Sequence, residues 1–237
     1  MDAQAIAGET LGYLKTGIDD IMTQVAREPA WALLTSRDSS PARVQSLMRE
    51  VYAEIAAYQP DVIEATIAVI GQFPRSLAAK KVRAMLVHQS EEWDHGEMAV
   101  RDFVGLGHDE HLVRDAQTPT AFATAACWRM FAHKRMPFAY LGALYLFEGL
   151  TPLVTGLVKP HLTQHGMAPV SLEYIEFHST EDIRHAKVVD ALIRDVVSAF
   201  PDRASEVRFG FDAFRQVYPL PGWRAAFARS ASISRAA

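Results

Sequence analysis

Apolar residues recur at three- and four-residue intervals along almost the whole chain, and no segment alternates between apolar and polar residues with a period of two. The first pattern is typical of amphipathic helices and the second of half-buried strands. No internal repeat or linker divides the chain into two parts. The pattern therefore predicts an all-α fold, with one domain over residues 1–237, about seven to nine helices, and a flexible tail over about residues 228–237.

Proline, glycine and capping residues set the expected helix boundaries. Ser40 and Pro41 are typical of a helix start, with serine as N-cap and proline at the first helical position. Pro60 should end this helix and begin the next one. The predicted helices cover about residues 3–27, 41–59, 60–74, 76–104, 137–165, 171–200 and 202–218, with a further helix starting at Pro119 and a short piece over 108–115.

Composition excludes several classes of protein. A formal net charge of −4 gives no broad basic surface for nucleic acid, and the single cysteine, Cys127, excludes a disulfide framework, a thiolate zinc site and an iron–sulfur cluster. The N-terminus resembles no signal peptide, and Glu148 and Pro152 interrupt the apolar stretch over residues 138–158. We therefore expect a cytoplasmic protein with no nucleic-acid partner and no membrane partner.

Three long predicted helices carry acidic residues and histidines where an apolar stripe is expected. In the first of them, His88, Glu92 and His95 lie at positions i, i+4 and i+7, which places them on one face of a helix. Met85 and Ala99 extend the same stripe. We therefore expect this face to point into the core.

The predicted helix over residues 171–200 repeats the arrangement. His178, Asp182 and His185 have the same spacing, and Val189 continues their stripe. Between the two segments, Glu148 stands among apolar residues, where a carboxylate must meet a cation or be protonated.

A metal site ligated by carboxylates and imidazoles would satisfy all of these groups. Oxygen and nitrogen ligands without thiolate are typical of iron or manganese, with zinc as an alternative. The ligands outnumber those that one ion needs, so two ions bridged by a carboxylate fit better. The candidate metal ligands are His88, Glu92, His95, Glu148, His178, Asp182 and His185.

Di-iron bundles combine a Glu-x-x-His pair on each of two helices with a lone glutamate on each of two others. Glu92 and Asp182 begin the two pairs here, and Glu148 is one lone acid. Glu54 or Glu64 is the candidate for the other.

The alternative to a metal site is a salt-bridged polar core, for which the candidate cations are Arg83, Arg129 and Arg184. Glu91 could replace Glu92 as a ligand, because it lies four residues before His95; otherwise Glu91 and Asp94 should contact the ligands from outside or face solvent. The remaining histidines lie near helix ends or loops and are expected at the surface: His108, His111, His133, His161 and His165.

Two further groups of residues carry alternatives. Cys127 is expected to be a small buried apolar residue, and a catalytic nucleophile is the alternative. The aromatic residues of the apolar segments are expected in the core, although some could line a substrate pocket beside the metals: Trp128, Phe131, Tyr140, Tyr145 and Phe147.

Over about residues 45–200 the chain resembles the haem-oxygenase-like di-iron oxidases, which are related in fold to the thiaminase-like and pyrroloquinoline-quinone-synthase proteins. The His-x3-Asp-x2-His segment at residues 178–185 is the most specific part of the resemblance. The iron ligands that it implies are Glu92, His95, Glu148, His178, Asp182 and His185. Many members have a carboxylate seven residues before the first ligand histidine, whereas this chain has His88 there. Either His88 ligates in its place or Glu92 takes over.

The resemblance implies a haem-oxygenase-like helical bundle with two iron ions at its centre, Fe(II)/Fe(III), one of them often weakly bound, and with O2 as co-substrate. The implied reaction is C–H desaturation, C–C cleavage or N-oxygenation of a small fatty-acid- or amino-acid-like molecule. Homodimerisation is compatible with the family. The alternatives are a metal-independent thiaminase-like hydrolase or quinone-cofactor oxidase of the same fold, and a metal-binding or interaction protein without enzymatic activity.

Overall fold

The computed structural model describes residues 2–114 and 117–233, and these residues contain α-helices and no strand. This confirms the all-α class. In chain order the helices are α1 (Ala3–Val25), α2 (Pro29–Thr35), α3 (Pro41–Ile70), α4 (Ala79–Glu91), α5 (His95–Gly105), α6 (Glu110–Arg114), α7 (Pro119–His133), α8 (Pro137–Gln164), α9 (Glu173–His178), α10 (Asp182–Ala199), α11 (Ala204–Phe214) and α12 (Leu220–Ile233). Nine of the helices in the described residues have eleven or more residues, which agrees with the seven to nine predicted; three short helices, α2, α6 and α9, are additional.

Helix α3 begins as predicted, with Ser40 as its N-cap and Pro41 at its first position. The predicted boundary at Pro60 is wrong, because α3 continues through this residue to Ile70. Proline removes one backbone hydrogen bond from a helix interior. Buried residues lie on both sides of it, such as Tyr58 and Val62, and their packing in the core holds the helix together.

The predicted helices over residues 76–104 and 171–200 are interrupted at Glu92–Asp94 and at Ser179–Glu181. The hydroxyl of Ser90 donates a hydrogen bond to the carbonyl of Val87, three residues earlier. In the second interruption, the hydroxyls of Ser179 and Thr180 donate to the carbonyl of Glu176. Such side-chain bonds compete with the helical ladder. His88, Glu92 and His95 therefore do not share one continuous helix.

Helix α8 is the most buried long helix and packs against α10 and α11, among others. It approaches α11 closely through Gly142 and Gly210. A Cβ at Gly142 would overlap the carbonyl of Val207, and one at Gly210 would overlap the carbonyl of Ala139. By length and composition α8 could cross a membrane, but 72% of its apolar window is buried inside the fold, as in the core helix of a globular protein.

Helix α12 closes the described part of the chain and packs against α2, α3 and α7. The flexible tail predicted for residues 228–237 is wrong for residues 228–233, which are helical. Residues 234–237 lie outside the described residues. Buried apolar residues from α1 to α12 join in one core cluster, and the assignment of residues 1–237 to one domain stays a prediction.

Candidate metal centre

Two segments of equal spacing carry six of the predicted ligands. We call residues 88–95 the first ligand segment and residues 178–185 the second. Each segment begins with a histidine in the last turn of a short helix, α4 or α9, and passes through an interruption. Each ends with a histidine in the first turn of the next helix, α5 or α10. Glu148 enters from the middle of α8, and all seven predicted ligands are buried.

Four of these side chains offer ligand atoms that lie within 4.8 Å of one another, and we call them cluster A: His88, Glu92, Glu148 and His185. His88 Nε2 lies 3.3 Å from Glu148 Oε1. His185 Nδ1 lies 3.1 Å from Glu92 Oε1 and 3.6 Å from Glu148 Oε2. Two imidazoles and two carboxylates thus surround one small volume, which is a donor set that suits iron or manganese.

Three side chains form a second such group, cluster B: Glu92, His95 and His178. Glu92 Oε2 lies 2.6 Å from His95 Nδ1, and His178 Nε2 lies 3.1 Å from the same nitrogen. Glu92 belongs to both clusters, with Oε1 towards cluster A and Oε2 towards cluster B. Its carboxylate therefore faces both groups of candidate ligand atoms.

Asp182 lies outside both clusters, although its spacing repeats that of Glu92. Its Oδ1 is 3.5 Å from His185 Nδ1. Burial raises the pKa of Asp182 to about 7, an effect that the nearby His185 only partly opposes. The structure thus places Asp182 beside cluster A without bringing it into the group.

The protonation of the site follows from burial and from the carboxylates. Burial opposes a positive charge on His185, but the nearby carboxylates of Asp182, Glu148 and Glu92 raise its pKa to about 12. Burial likewise opposes a negative charge on Glu92, but His185 and His95 hold the pKa of this carboxyl below its usual range. Burial and the neighbouring His95 lower the pKa of His178 to about 4. Without a metal, the charges of Glu92 and Glu148 are thus offset by protonated imidazoles, whereas the raised pKa of Asp182 favours its neutral form.

The proposed salt-bridged core with arginine partners is wrong. Arg129 pairs with Asp61 and Glu64 at the surface. Arg184 is likewise exposed and pairs with acids outside the two clusters, and Arg83 is exposed. Within residues 2–114 and 117–233, no lysine or arginine forms an ion pair with Glu92, Glu148 or Asp182.

The imidazole rings of His178 and His185 are each hydrogen-bonded to a group outside the two clusters. Nδ1 of His178 lies 2.7 Å from the carbonyl oxygen of Tyr174 and donates to it, which leaves Nε2 facing cluster B. On His185, Nε2 lies 3.1 Å from Glu91 Oε2, and Arg184 donates to the same oxygen at 2.8 Å. Such contacts fix the ring orientation and tautomer of metal-binding histidines. Glu91 therefore contacts His185 from outside the two clusters, whereas Glu92 belongs to both.

The residues present fit a metal ion, because several buried polar atoms that face one another have no hydrogen-bond partner among the described residues. Buried polar atoms are nearly always hydrogen-bonded in folded proteins, and a bound ion is one alternative partner for them. The orphaned atoms on predicted ligands are Nδ1 and Nε2 of His88, Oε1 of Glu92, Nε2 of His95, Oδ1 of Asp182 and Nδ1 of His185.

Neither Glu54 nor Glu64, the candidates for the second lone glutamate of a di-iron bundle, belongs to cluster A or cluster B. Glu64 is exposed and pairs with Arg129. Glu54 is buried elsewhere, where it accepts hydrogen bonds from Thr118 and Arg229. Both residues lie on α3, and the sequence spacing alone could not tell which face of α3 meets the ligand segments.

The other histidines lie outside both clusters. His111 and His133 are exposed as predicted, and His108 and His161 are half-buried. The prediction is wrong for His165, which is only 5% exposed. Its position directly after α8 places it against the core.

An apolar cavity with an open mouth lies between α3, α8 and α12. Tyr174 in its wall stacks on His178, with the ring centroids 3.7 Å apart, so the cavity borders cluster B. None of the aromatic residues proposed as pocket-lining is in its wall; Phe147 packs behind two of the tyrosines that are. The aromatic residues that line it are Tyr58, Tyr174, Tyr218 and Trp223.

Sequence reasoning missed these four residues because they are scattered over α3, α9 and the segment after α11. Tyr218 and Trp223 belong to the region that was expected to lead into a tail. The sequence carries one weak signal, which is the cluster of aromatic residues and prolines between Tyr218 and Trp223.

Comparison with known proteins assigns the chain to a family. Residues 49–218 match the model of the iron-containing redox enzymes. The chain belongs to this family. A comparison with curated protein sequences finds no significant match.

Two solved structures show the same fold. One is a domain of unknown function with a haem-oxygenase-like fold from Shewanella denitrificans, with a TM-score of 0.61 and 21% identity, covering 86% of this chain and 88% of that one. The other is a TenA homologue from Pseudomonas syringae pv. tomato, with a TM-score of 0.70 and 14% identity, covering 98% of this chain and 96% of that one. The haem-oxygenase-like fold expected from the resemblance is therefore confirmed.

Proposed function

We propose that this member of the family is an O2-dependent oxidase or oxygenase that uses two iron ions to oxidise a small organic molecule. The observation that carries the proposal is the position of Glu92, which faces cluster A with one carboxylate oxygen and cluster B with the other. A carboxylate shared in this way serves two ions, and three buried carboxylates offset most of the charge of two divalent cations.

An iron pair would supply the reduction of O2 and the oxidation of a C–H, C–C or amine N site of the substrate. The protein residues hold and orient this centre. His178 is fixed by the carbonyl of Tyr174 and His185 by Glu91. The ligand side chains are at most 5% exposed, which excludes bulk water from the reaction.

The apolar cavity is the proposed substrate site. It reaches the centre through Tyr174, which stacks on the ligand His178. Tyr218 lines the same cavity, and burial together with the charges of Asp182 and Glu148 raises its pKa to about 12. We further propose that the protein acts in the cytoplasm on a small molecule, without a nucleic-acid or membrane partner.

Oxygen consumption tests this proposal. The Fe(II)-loaded protein should consume O2 in the presence of a suitable substrate, whereas His178→Ala and Glu148→Ala should not. Glu64→Ala is the matched control, because this acid lies on α3 at the surface. Full activity in His178→Ala or Glu148→Ala would contradict the proposal.

The alternative is a metal-independent hydrolase, since the fold is also that of the TenA homologue. Such an enzyme with a cysteine nucleophile would depend on Cys127. Burial raises the pKa of this thiol to about 11, which opposes formation of the reactive thiolate. Activity of a metal-free preparation that is lost in Cys127→Ser would favour this alternative.

A further inference from the structure

The apolar cavity contains one charged side chain among its lining residues, Glu54. The remainder of the wall is formed by aliphatic and aromatic groups, a few threonines, Pro219 and Gly222. A charged group in such a wall is costly unless it is paired. Its hydrogen bonds therefore decide what the cavity can hold.

Only one of the two carboxylate oxygens of Glu54 is satisfied. Oε2 accepts a hydrogen bond from the hydroxyl of Thr118 at 2.7 Å and another from Arg229 Nη2 at 2.9 Å. Oε1 is buried and has no partner among the described residues, and Glu54 as a whole is 6% exposed. A Cβ on Gly222 would lie 3.5 Å from Oε1, so the absence of a side chain at Gly222 leaves space beside this oxygen.

The charge of Glu54 is already balanced, whereas its hydrogen-bonding capacity is not. Arg229 pairs with both Glu54 and Glu50, and Arg49 also pairs with Glu50, so that this group of two acids and two arginines has no net charge. Oε1 can therefore accept a hydrogen bond from a ligand, and it repels a second carboxylate. A ligand with a hydroxyl or amine would donate this hydrogen bond.

We propose that the cavity binds a molecule with an apolar body and a hydrogen-bond donor, a hydroxyl or an amine, which pairs with Glu54 Oε1. This inference rests on the proposed function and narrows its substrate class: a free fatty acid, whose head is an acceptor at neutral pH, is disfavoured. The apolar body packs between α3 and α8, where the wall extends from Leu150 to Val158. Val158 lies eight positions after Leu150, which corresponds to about 12 Å along the helix.

Binding of three ligands of equal chain length tests the proposal. Decylamine, decanol and decanoate are titrated into the full chain by calorimetry below their micelle concentrations at slightly alkaline pH. We expect decylamine and decanol to bind roughly 10–100-fold more tightly than decanoate, as befits one buried hydrogen bond to a charged acceptor. Tighter binding of decanoate would overturn the proposal.

The variant Glu54→Gln sharpens the test, with Glu64→Gln on the same helix as its matched control. The amide oxygen should keep the two donors at the Oε2 position, so the amide N–H would face the cavity. We therefore expect Glu54→Gln to reverse the preference in favour of decanoate and Glu64→Gln to leave it unchanged. An unchanged preference in Glu54→Gln would contradict the proposed hydrogen bond between the ligand's donor group and Glu54 Oε1.

A second variant keeps the test valid if Glu54→Gln folds poorly. Gly222→Leu should fill the space beside Oε1 and abolish binding of all three ligands while the Glu54–Arg229 pair remains. Unchanged binding in this variant would show that the ligands bind elsewhere. Iron titration of the same proteins separates the two proposals, because loss of ligand selectivity with intact iron binding refutes only this inference, and absence of iron binding refutes only the proposed function.

Discussion

The two ligand segments have the same pattern, histidine, acid and histidine at positions 1, 5 and 8, and the same interrupted helix, yet their acids differ in position. Glu92 lies in both clusters, whereas Asp182 lies in neither. The pKa of Glu92 is below its usual range because His185 and His95 outweigh its burial, whereas burial raises that of Asp182 to about 7. Equal spacing in the sequence therefore does not give the two acids equal roles.

The histidines, in contrast, are distributed symmetrically, because each cluster contains one histidine from each ligand segment. The first histidine of one segment meets the second histidine of the other, so His88 and His185 belong to cluster A, and His95 and His178 belong to cluster B. Glu148 adds a second carboxylate to cluster A only. We therefore expect cluster A to bind its ion more tightly than cluster B.

Replacement of the shared acid should have the largest effect. Glu92→Ala removes a ligand from both clusters, so we expect loss of nearly all bound iron and of O2 consumption. The decrease in iron affinity should exceed the roughly 10–100-fold that removal of an outer hydrogen-bond partner costs. Iron analysis after gel filtration measures it. Asp182→Ala is the matched control and should keep the cluster B ion; equal losses in the two variants would remove the distinction between the acids.

Single histidine variants should separate the two ions. His88→Ala should lose the ion of cluster A, and His178→Ala should lose the ion of cluster B, so that each protein keeps about one iron. Anaerobic Fe(II) titration counts the remaining sites. If either variant lost both ions, the two clusters would act as a unit and the asymmetry between them would be unsupported.

A smaller effect is expected at the outer contact of His185. Glu91→Gln weakens the acceptor that holds Nε2 of this ring, and the acid also binds Arg184. We expect roughly 10–100-fold weaker iron binding in cluster A. Glu181→Gln is a control, since Glu181 is exposed and pairs with Arg184 outside the site. A change confined to cluster B would show that the contact is not transmitted through His185.

A last effect, on stability, concerns Asp102, which joins α5 to α9. It lies on α5 and accepts hydrogen bonds from the backbone N–H groups of Glu173 and Tyr174 at the start of α9. Burial raises its pKa to about 6 from an ordinary value of 3.8, although these N–H groups oppose the shift. A carboxyl with a raised pKa stabilises the fold at low pH and loses this contribution as the pH rises.

The wild type should therefore lose up to about 3 kcal/mol of stability between pH 4 and pH 6 relative to Asp102→Asn, which cannot ionise. Urea unfolding of both proteins across this range measures the difference. Parallel curves would show that the pKa of Asp102 is not raised in the folded state.

The fold class and the burial of the candidate ligands could be predicted because their signals are local. Helical periodicity marked the helices, and the repeated His-x3-acid-x2-His spacing marked both segments. The interruptions were missed, although Ser90, Ser179 and Thr180 stand where hydroxyls compete with the helical ladder. The helix boundary predicted at Pro60 is wrong, because tertiary packing of α3 can outweigh the loss of one backbone hydrogen bond.

The unequal roles of Glu92 and Asp182, and the position of Glu54, could not be predicted from spacing. They depend on how α3, α8 and the two segments meet across the core, which is a matter of contacts distant in sequence. The same holds for the cavity, whose wall combines Tyr58, Tyr174 and Tyr218 from separate parts of the chain.

The central claim is that Glu92 is shared by two iron ions. An anaerobic Fe(II) titration, monitored by calorimetry, tests it most directly when the wild type is compared with Glu92→Ala. We expect the wild type to bind two ions per chain, one more tightly than the other, and Glu92→Ala to bind nearly none. One ion or none in the wild type, or two ions in Glu92→Ala, would contradict it.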